Sequence, residues 1–188
     1  IMHRDNLDIP ESEFVDSLNE VIELGYTNVI GVSNWSLDRF HKADTWAKKS
    51  NKHGLDILNN NLSLAKMIKP LWPGCITAND PKILNYLREN QKIHLAWSSQ
   101  ARGFFLKDEI INHNEKVLNE YDDSGPLRYF DCEENRTRKK RAQDLAHKYD
   151  VEPHHIAAAW VLNQDFPSLA IIGPRKISET SNSLKCLD

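Results

Sequence analysis

Short apolar runs alternate with helical patterns along the whole chain, and no hairpin signal joins any two of the runs. A strand that is followed by a helix and then a strand returns parallel, through a right-handed crossover. Pro10 suits a first helical position, and Glu11 and Glu13 favour the positive end of a helix dipole. Phe14, Leu18, Val21 and Ile22 recur at helical spacing before Gly25. Residues 27–32 read as a buried parallel strand ending in Ser33-Asn34. Ser36 can cap a second helix with Leu37, Phe40, Ala43 and Ala47 inward. Residues 55–58 form the next strand, ending in Asn59-Asn60-Asn61. A loop with Pro70, Pro73 and Gly74 leads to a helix that starts at Asp80-Pro81 and turns Ile83, Leu84 and Leu87 inward.

Residues 93–97 are a third strand, ending in Ser98-Ser99-Gln100. Periodicity then lapses until about Glu134, which is long for a connection and typical of a lid or binding loop. Ala142, Leu145, Ala146 and Tyr149 mark one helix, and 156–162, apolar nearly all round, a buried second. Residues 169–172 are the last strand, and a final helix ends near Leu187.

A doubly wound sheet and part of a barrel both fit this order. No GxGxxG is present, so the dinucleotide fingerprint of the first is absent. Every strand instead ends in polar residues, as the active face of a barrel requires. The expected fold is α/β: one domain over 1–188, a partial (β/α)8 TIM barrel of roughly the C-terminal half, with parallel strands and covering helices. Ile1 and Met2 are the only apolar residues before His3, so the chain is expected to begin at the very end of a strand. Two open parallel edges invite association, so a dimer or larger assembly is expected.

Composition narrows the function classes. The chain is 40% hydrophobic with five tryptophans, which argues for a folded core. Its formal charge of −3 gives no drive toward nucleic acid or an anionic membrane. The basic run 136–141 follows Asp131, Glu133 and Glu134 and reads as a solvated helix face. No apolar run approaches the ~20 residues of a membrane span. Cys75, Cys132 and Cys186 are odd in number and lack a CxxC, which fits reduced thiols in the cytoplasm. The adjacent His154 and His155 point different ways on a helix, and no HExxH is present, so no metal site is expected.

The strand ends hold the candidate chemistry. A neutral His3 can donate a hydrogen bond to a carbonyl oxygen gaining charge, or be a surface histidine. Asp5 can fix its tautomer or pair with Arg4. Ser33, Asn34 and Asn59 can match a carboxamide, or serve as turn residues. Trp97 can stack on a flat ring, or pack in the core. Gly173-Pro174-Arg175-Lys176 before a helix can bind phosphate, or form an ordinary turn.

Taken in order, five stretches resemble the aldo-keto reductase family. They are His3-Arg4-Asp5, Val29 through Trp35 (VIGVSNW), Leu95 through Gly103 (LAWSSQARG), Ala157 through Leu162 (AAAWVL) and Ile171 through Arg175 (IIGPR). The resemblance spans nearly the whole chain and corresponds to the family's barrel from the end of its fourth strand onward. It implies NADP(H) lying across the barrel mouth and reduction of small aldehydes and ketones. It makes His3 the substrate-orienting histidine. Ser33, Asn34 and Asn59 would hold the nicotinamide carboxamide, Asn59 standing where Gln is usual. Trp97 would stack on the ring, where Tyr is commoner. Ser98 and its loop would meet the pyrophosphate, Gly173 the adenosine end and Arg175 the 2′-phosphate. Glu179, Asn182 and Ser183 depart from the usual Gln, Glu and Asn, although Asn182 can still serve the adenine.

No residue here matches the family's proton-donating Tyr or its Asp and Lys partners. The chain alone is therefore expected to be inactive or nearly so, and to need complementation by an N-terminal half. The competing expectation is a cofactor-sensing or interaction module without turnover.

Overall fold

The computed structural model describes residues 1–108 and 125–188. Its centre is a parallel sheet of β1 (Gly31–Ser33), β2 (Ile57–Asn59), β3 (Ile93–Ala96) and β4 (Ser168–Ala170), in the order β1-β2-β3-β4. Each strand pairs with the next in sequence, so the sheet has no switch point of the doubly wound kind. Unbroken parallel order is the winding of a barrel wall. Met2 extends this wall at one edge. Its N–H donates to the Gly31 carbonyl (2.9 Å), and its own carbonyl accepts from the Ser33 N–H (2.9 Å).

The helices are α1 (Glu11–Glu23) before β1, α2 (Leu37–Lys49), α3 (Pro81–Asn90), α4 (Pro126–Phe130), α5 (Glu133–Tyr149) and α6 (Pro153–Leu162) between the strands, and α7 (Ile177–Leu184) after β4. Ser36 Oγ accepts the Arg39 N–H at 3.3 Å and caps α2. Asp80 caps α3, with Pro81 at its first position. Pro10 differs from its expected place: it is the extended residue just before α1, which starts at Glu11. Among the described residues no helix is long and apolar enough to cross a membrane.

Alternation along the strands decides what is buried. Val32, Leu58 and Ala96 face the helices and pack with Phe14, Val15, Leu18, Phe40, Ala43, Leu87 and Val161. A second cluster joins Phe104, Phe105, Tyr129 and Phe130 to Ala142 and Ala157. These aromatics belong to the stretch that lacked periodicity, and they are buried together as core. Ala101–Gly103 is a 3-10 turn and α4 has five residues, both too short to reveal a period. Residues 109–124 of that stretch lie outside the described residues.

Several burial expectations need correction. Val21, Leu145 and Tyr149 lie at the flanks of their helices and are exposed, and Val29 precedes β1 and is exposed too. The basic run is not wholly solvated. Lys139 is buried, with its ammonium 2.6 Å from Asp108 and 5.5 Å from the centre of the Phe104 ring.

β1 and β2 approach closely at Gly31. A Cβ there would stand 2.5 Å from the Ile57 carbonyl oxygen and 2.6 Å from the Ile57 Cβ. Gly31→Ala is therefore expected to cost about 1–3 kcal/mol through strand displacement. Urea unfolding measures this, and a variant as stable as the parent would contradict it.

Candidate functional site

The sheet places several of the expected site residues together. Met2 lies opposite Val32, which sets His3 beside Ser33, and Ser33 pairs with Asn59. Val32 and Leu58 point into the helix-side core, so Ser33 and Asn59 point to the other face. Asn61 lies opposite Trp97 two residues further along, on that same inner face. His3, Ser33 and Asn59 thus form one row at the strand ends, with Trp97 in the row above.

Local chemistry holds this rim. The Ser33 hydroxyl donates to the Asn59 carbonyl at 2.9 Å. Asn34 has φ 57°, a left-handed conformation that asparagine tolerates better than most side chains. Its Nδ2 donates to Ser33 Oγ at 3.1 Å and its Oδ1 accepts the Ile76 N–H at 3.2 Å. Asn59 Nδ2 donates to the Leu95 carbonyl. Asn60 Nδ2 donates to the Trp35 carbonyl at 3.0 Å, and Asn61 Nδ2 to the Trp97 carbonyl at 3.1 Å. Three successive asparagines thereby tie β2 to its surroundings, a role their sequence shows only as a polar run.

His3 is exposed at the rim. Asp5 serves neither His3 nor Arg4, because its carboxylate pairs with Arg39 at 2.7 Å. Arg4 instead lies over the Trp72 ring, 5.6 Å from its centre. Trp72 stacks on Trp97, with ring centres 5.3 Å apart and planes 27° apart. Trp97 is half-buried, and its Nε1 has no hydrogen-bond partner among the described residues. Trp72 was invisible to periodicity because it sits in an irregular loop. Beyond Trp97, Ser98, Ala101 and Arg102 all have positive φ, a concentration of backbone strain at this rim.

Gly173 and Arg175 follow β4 and precede α7, and both are exposed. A Cβ on Gly173 would meet nothing within 4 Å, so the surrounding chain does not itself require glycine there. The Arg175 N–H donates to Glu179 Oε2 at 2.7 Å, so a carboxylate already engages the turn before α7.

Asn182 lies elsewhere in its bonding. Its amide joins His154 and His155, whose rings are 4.2 Å apart rather than diverging. His155 Nδ1 accepts the Glu152 N–H at 3.1 Å, so its proton sits on Nε2, which donates to Asn182 Oδ1 at 3.2 Å. Asn182 Nδ2 in turn donates to His154 Nε2 at 3.0 Å. Burial, and then the neighbouring His155, push His154 down to about 4, so the His154 ring is neutral at pH 7.

Fold and rim together define a parallel α/β-barrel protein with its polar groups at the strand ends. The aldo/keto reductase family profile matches residues 1–188, and the chain belongs to that family. The versiconal hemiacetal acetate reductase of Aspergillus parasiticus is 23% identical over 191 residues, covering 98% of this chain and 51% of that protein. The aldo/keto reductase of Klebsiella pneumoniae, solved in complex with NADP and acetate, has a TM-score of 0.66 and 16% identity. That match covers 99% of this chain and 51% of the other. The thermostable aldo-keto reductase Tm1743, solved with the inhibitor epalrestat, gives a TM-score of 0.64 at 16% identity, over 98% and 52% of the two chains. The chain spans about half the length of the relatives it matches.

Proposed function

We propose that this chain forms the coenzyme-holding side of an NADP(H)-dependent reductase of aldehydes and ketones. The observation that carries this reading is the row His3, Ser33 and Asn59 with Trp97 just above it. Membership of the family and a neighbour solved with NADP support a nicotinamide coenzyme.

The donor set suits a nicotinamide carboxamide. Asn34 Nδ2 has a second hydrogen beyond the one given to Ser33, and Asn59 Oδ1 makes no hydrogen bond among the described residues. One donor and one acceptor match the carboxamide oxygen and its NH2 group. Trp97 would stack on the ring. Ser98 would meet the pyrophosphate, and the open space over Gly173 would admit the adenosine end. The exposed Arg175 guanidinium would engage the 2′-phosphate. Asn182 would join the adenine only on leaving the histidine pair.

When bound, the reduced nicotinamide supplies a hydride to a carbonyl carbon. The chain's own part is orientation, with His3 donating a hydrogen bond to the carbonyl oxygen as it gains negative charge. The proton that completes the alcohol needs an acid, and none of these 188 residues has been matched to the family's tyrosine. The three free cysteines suit a reducing cytoplasm.

NADPH is expected to quench the tryptophan fluorescence of the 188-residue chain, and Trp97→Ala to abolish most of that quenching. No aldehyde-dependent NADPH oxidation is expected from the chain alone. Absence of quenching at any concentration would leave an interaction module without coenzyme as the better account. Robust turnover would show that the acid lies within these residues.

A further inference from the structure

Trp72 stands where a planar ligand would have to go. Arg4 follows the Met2 edge and Trp97 follows β3, so the two start three strand spacings apart, roughly 14 Å. Trp72 touches both, at 5.6 Å from the Arg4 guanidinium and 5.3 Å from the Trp97 ring. Its indole therefore spans the gap between the side chains that leave the Met2 edge and the end of β3.

The loop that carries it is anchored on both sides. Asn135 grips Lys66 through both backbone groups, at 2.9 and 2.7 Å, and the Ile68 N–H donates to the Tyr129 carbonyl at 2.9 Å. Past Trp72, Ile76 is held by Asn34 Oδ1 and, through its carbonyl, by the Asn61 N–H at 3.0 Å. Between these anchors Pro70, Pro73 and Gly74 are exposed, and Gly74 has φ +83°, a conformation suited to a pivot. Asn34, one of the two carboxamide ligands, is thus also a clasp on this loop.

We propose that Trp72 is a resident plug of the ring position on Trp97, and that a nicotinamide binds only by displacing it. This inference rests on the coenzyme reading above and names what regulates that site. The Arg4–Trp72–Trp97 stack holds the loop shut, and opening it bares the Trp97 face. Any ligand needing that face pays for two contacts before gaining its own.

Isothermal titration of NADPH into the parent chain, Trp72→Ala and Trp72→Leu tests this. NADPH should bind both variants about tenfold more tightly, because one aromatic pair and one cation–π contact no longer have to be broken. Adenosine 2′,5′-bisphosphate, which lacks the nicotinamide, should bind all three alike. In the parent, the far-UV exciton couplet of the stacked indoles should vanish on saturation with NADPH. Equal or weaker NADPH binding by the variants, or a couplet that survives saturation, would overturn the plug and leave the coenzyme site standing. Equal tightening of both ligands would also overturn it, since the ring end would not be the part controlled. If neither parent nor variants bind NADPH, the coenzyme reading and the plug fall together.

Discussion

Replacing Arg39 with alanine is expected to cost about 3–5 kcal/mol of stability, the range for breaking a buried ion pair from one side. The Arg39 guanidinium is the hub of the N-terminal segment. Its Nε donates to Asp5 at 2.7 Å, and its terminal nitrogens reach Glu11 at 3.3 Å and the carbonyls of Asn6 and Ile9 at 3.0 and 2.6 Å. The Trp35 ring centre lies 4.7 Å from it and the Phe14 ring centre 5.7 Å. Alanine would strand the Asp5 carboxylate, which is only 12% exposed, and take one donor from each of the Asn6 and Ile9 carbonyls, of which Asn6 keeps the Ile9 N–H. Lysine should recover only part of the loss, because an ammonium lacks the planar fork. Asp5 is two residues from His3, so the same change should loosen the start of the rim. Urea unfolding of Arg39→Ala and Arg39→Lys provides the measurement. A loss below about 1 kcal/mol for alanine would mean that the hub is not under load.

The opposite sign is expected for His94→Leu, which should stabilise the chain. His94 is fully buried in β3, and neither ring nitrogen has a hydrogen-bond partner among the described residues. Its one described ring neighbour is Phe166, edge-on at 6.3 Å. Burying an unpaired polar group costs about 1–3 kcal/mol, which leucine of similar bulk would remove. Burial also drives the His94 pKa from 6.5 down to about 4. The folded state therefore refuses a proton that the unfolded chain accepts. Stability is unaffected above pH 6.5, falls as the pH drops from 6.5 toward 4, and loses no more from this group below that. The shift corresponds to roughly 3 kcal/mol across that window. His154, lowered by burial and by the neighbouring His155, acts in the same direction and window. His94→Leu should be more stable than the parent at pH 7.5, and by a wider margin at pH 4.5. A destabilised variant at pH 7.5, or an unchanged dependence on pH, would count against this account.

The two predictions concern residues that one-dimensional reading treats poorly. Arg39 sits in a helix whose apolar face was legible from Phe40, Ala43 and Ala47, yet its own burial depends on Asp5 and Glu11, which are distant in sequence. His94 lies within an apolar strand, but no pattern could say that both its nitrogens would lack partners. The helix caps at Ser36 and Asp80 were legible because a cap is a contact across three residues or fewer. Pro10 was misplaced by one position, since proline suits both the cap and the first turn.

Parallel α/β class followed from the amino acids alone, because alternating strand and helix periods favour parallel right-handed connections, and the polar strand ends without a GxGxxG favoured a barrel over a doubly wound sheet. The membership of His3, Ser33, Asn59 and Trp97 in one rim was inferred from their positions at strand ends, and the register then aligned them. Tertiary structure alone decided how those groups are engaged. It laid Trp72 on Trp97, gave Asn34 to the Ile76 amide, and drew Asn182 between two histidines. The physical reason is range. Propensity and periodicity act over a few residues, whereas a ring stack or an amide bond depends on segments that only the folded chain brings within a few ångströms of each other.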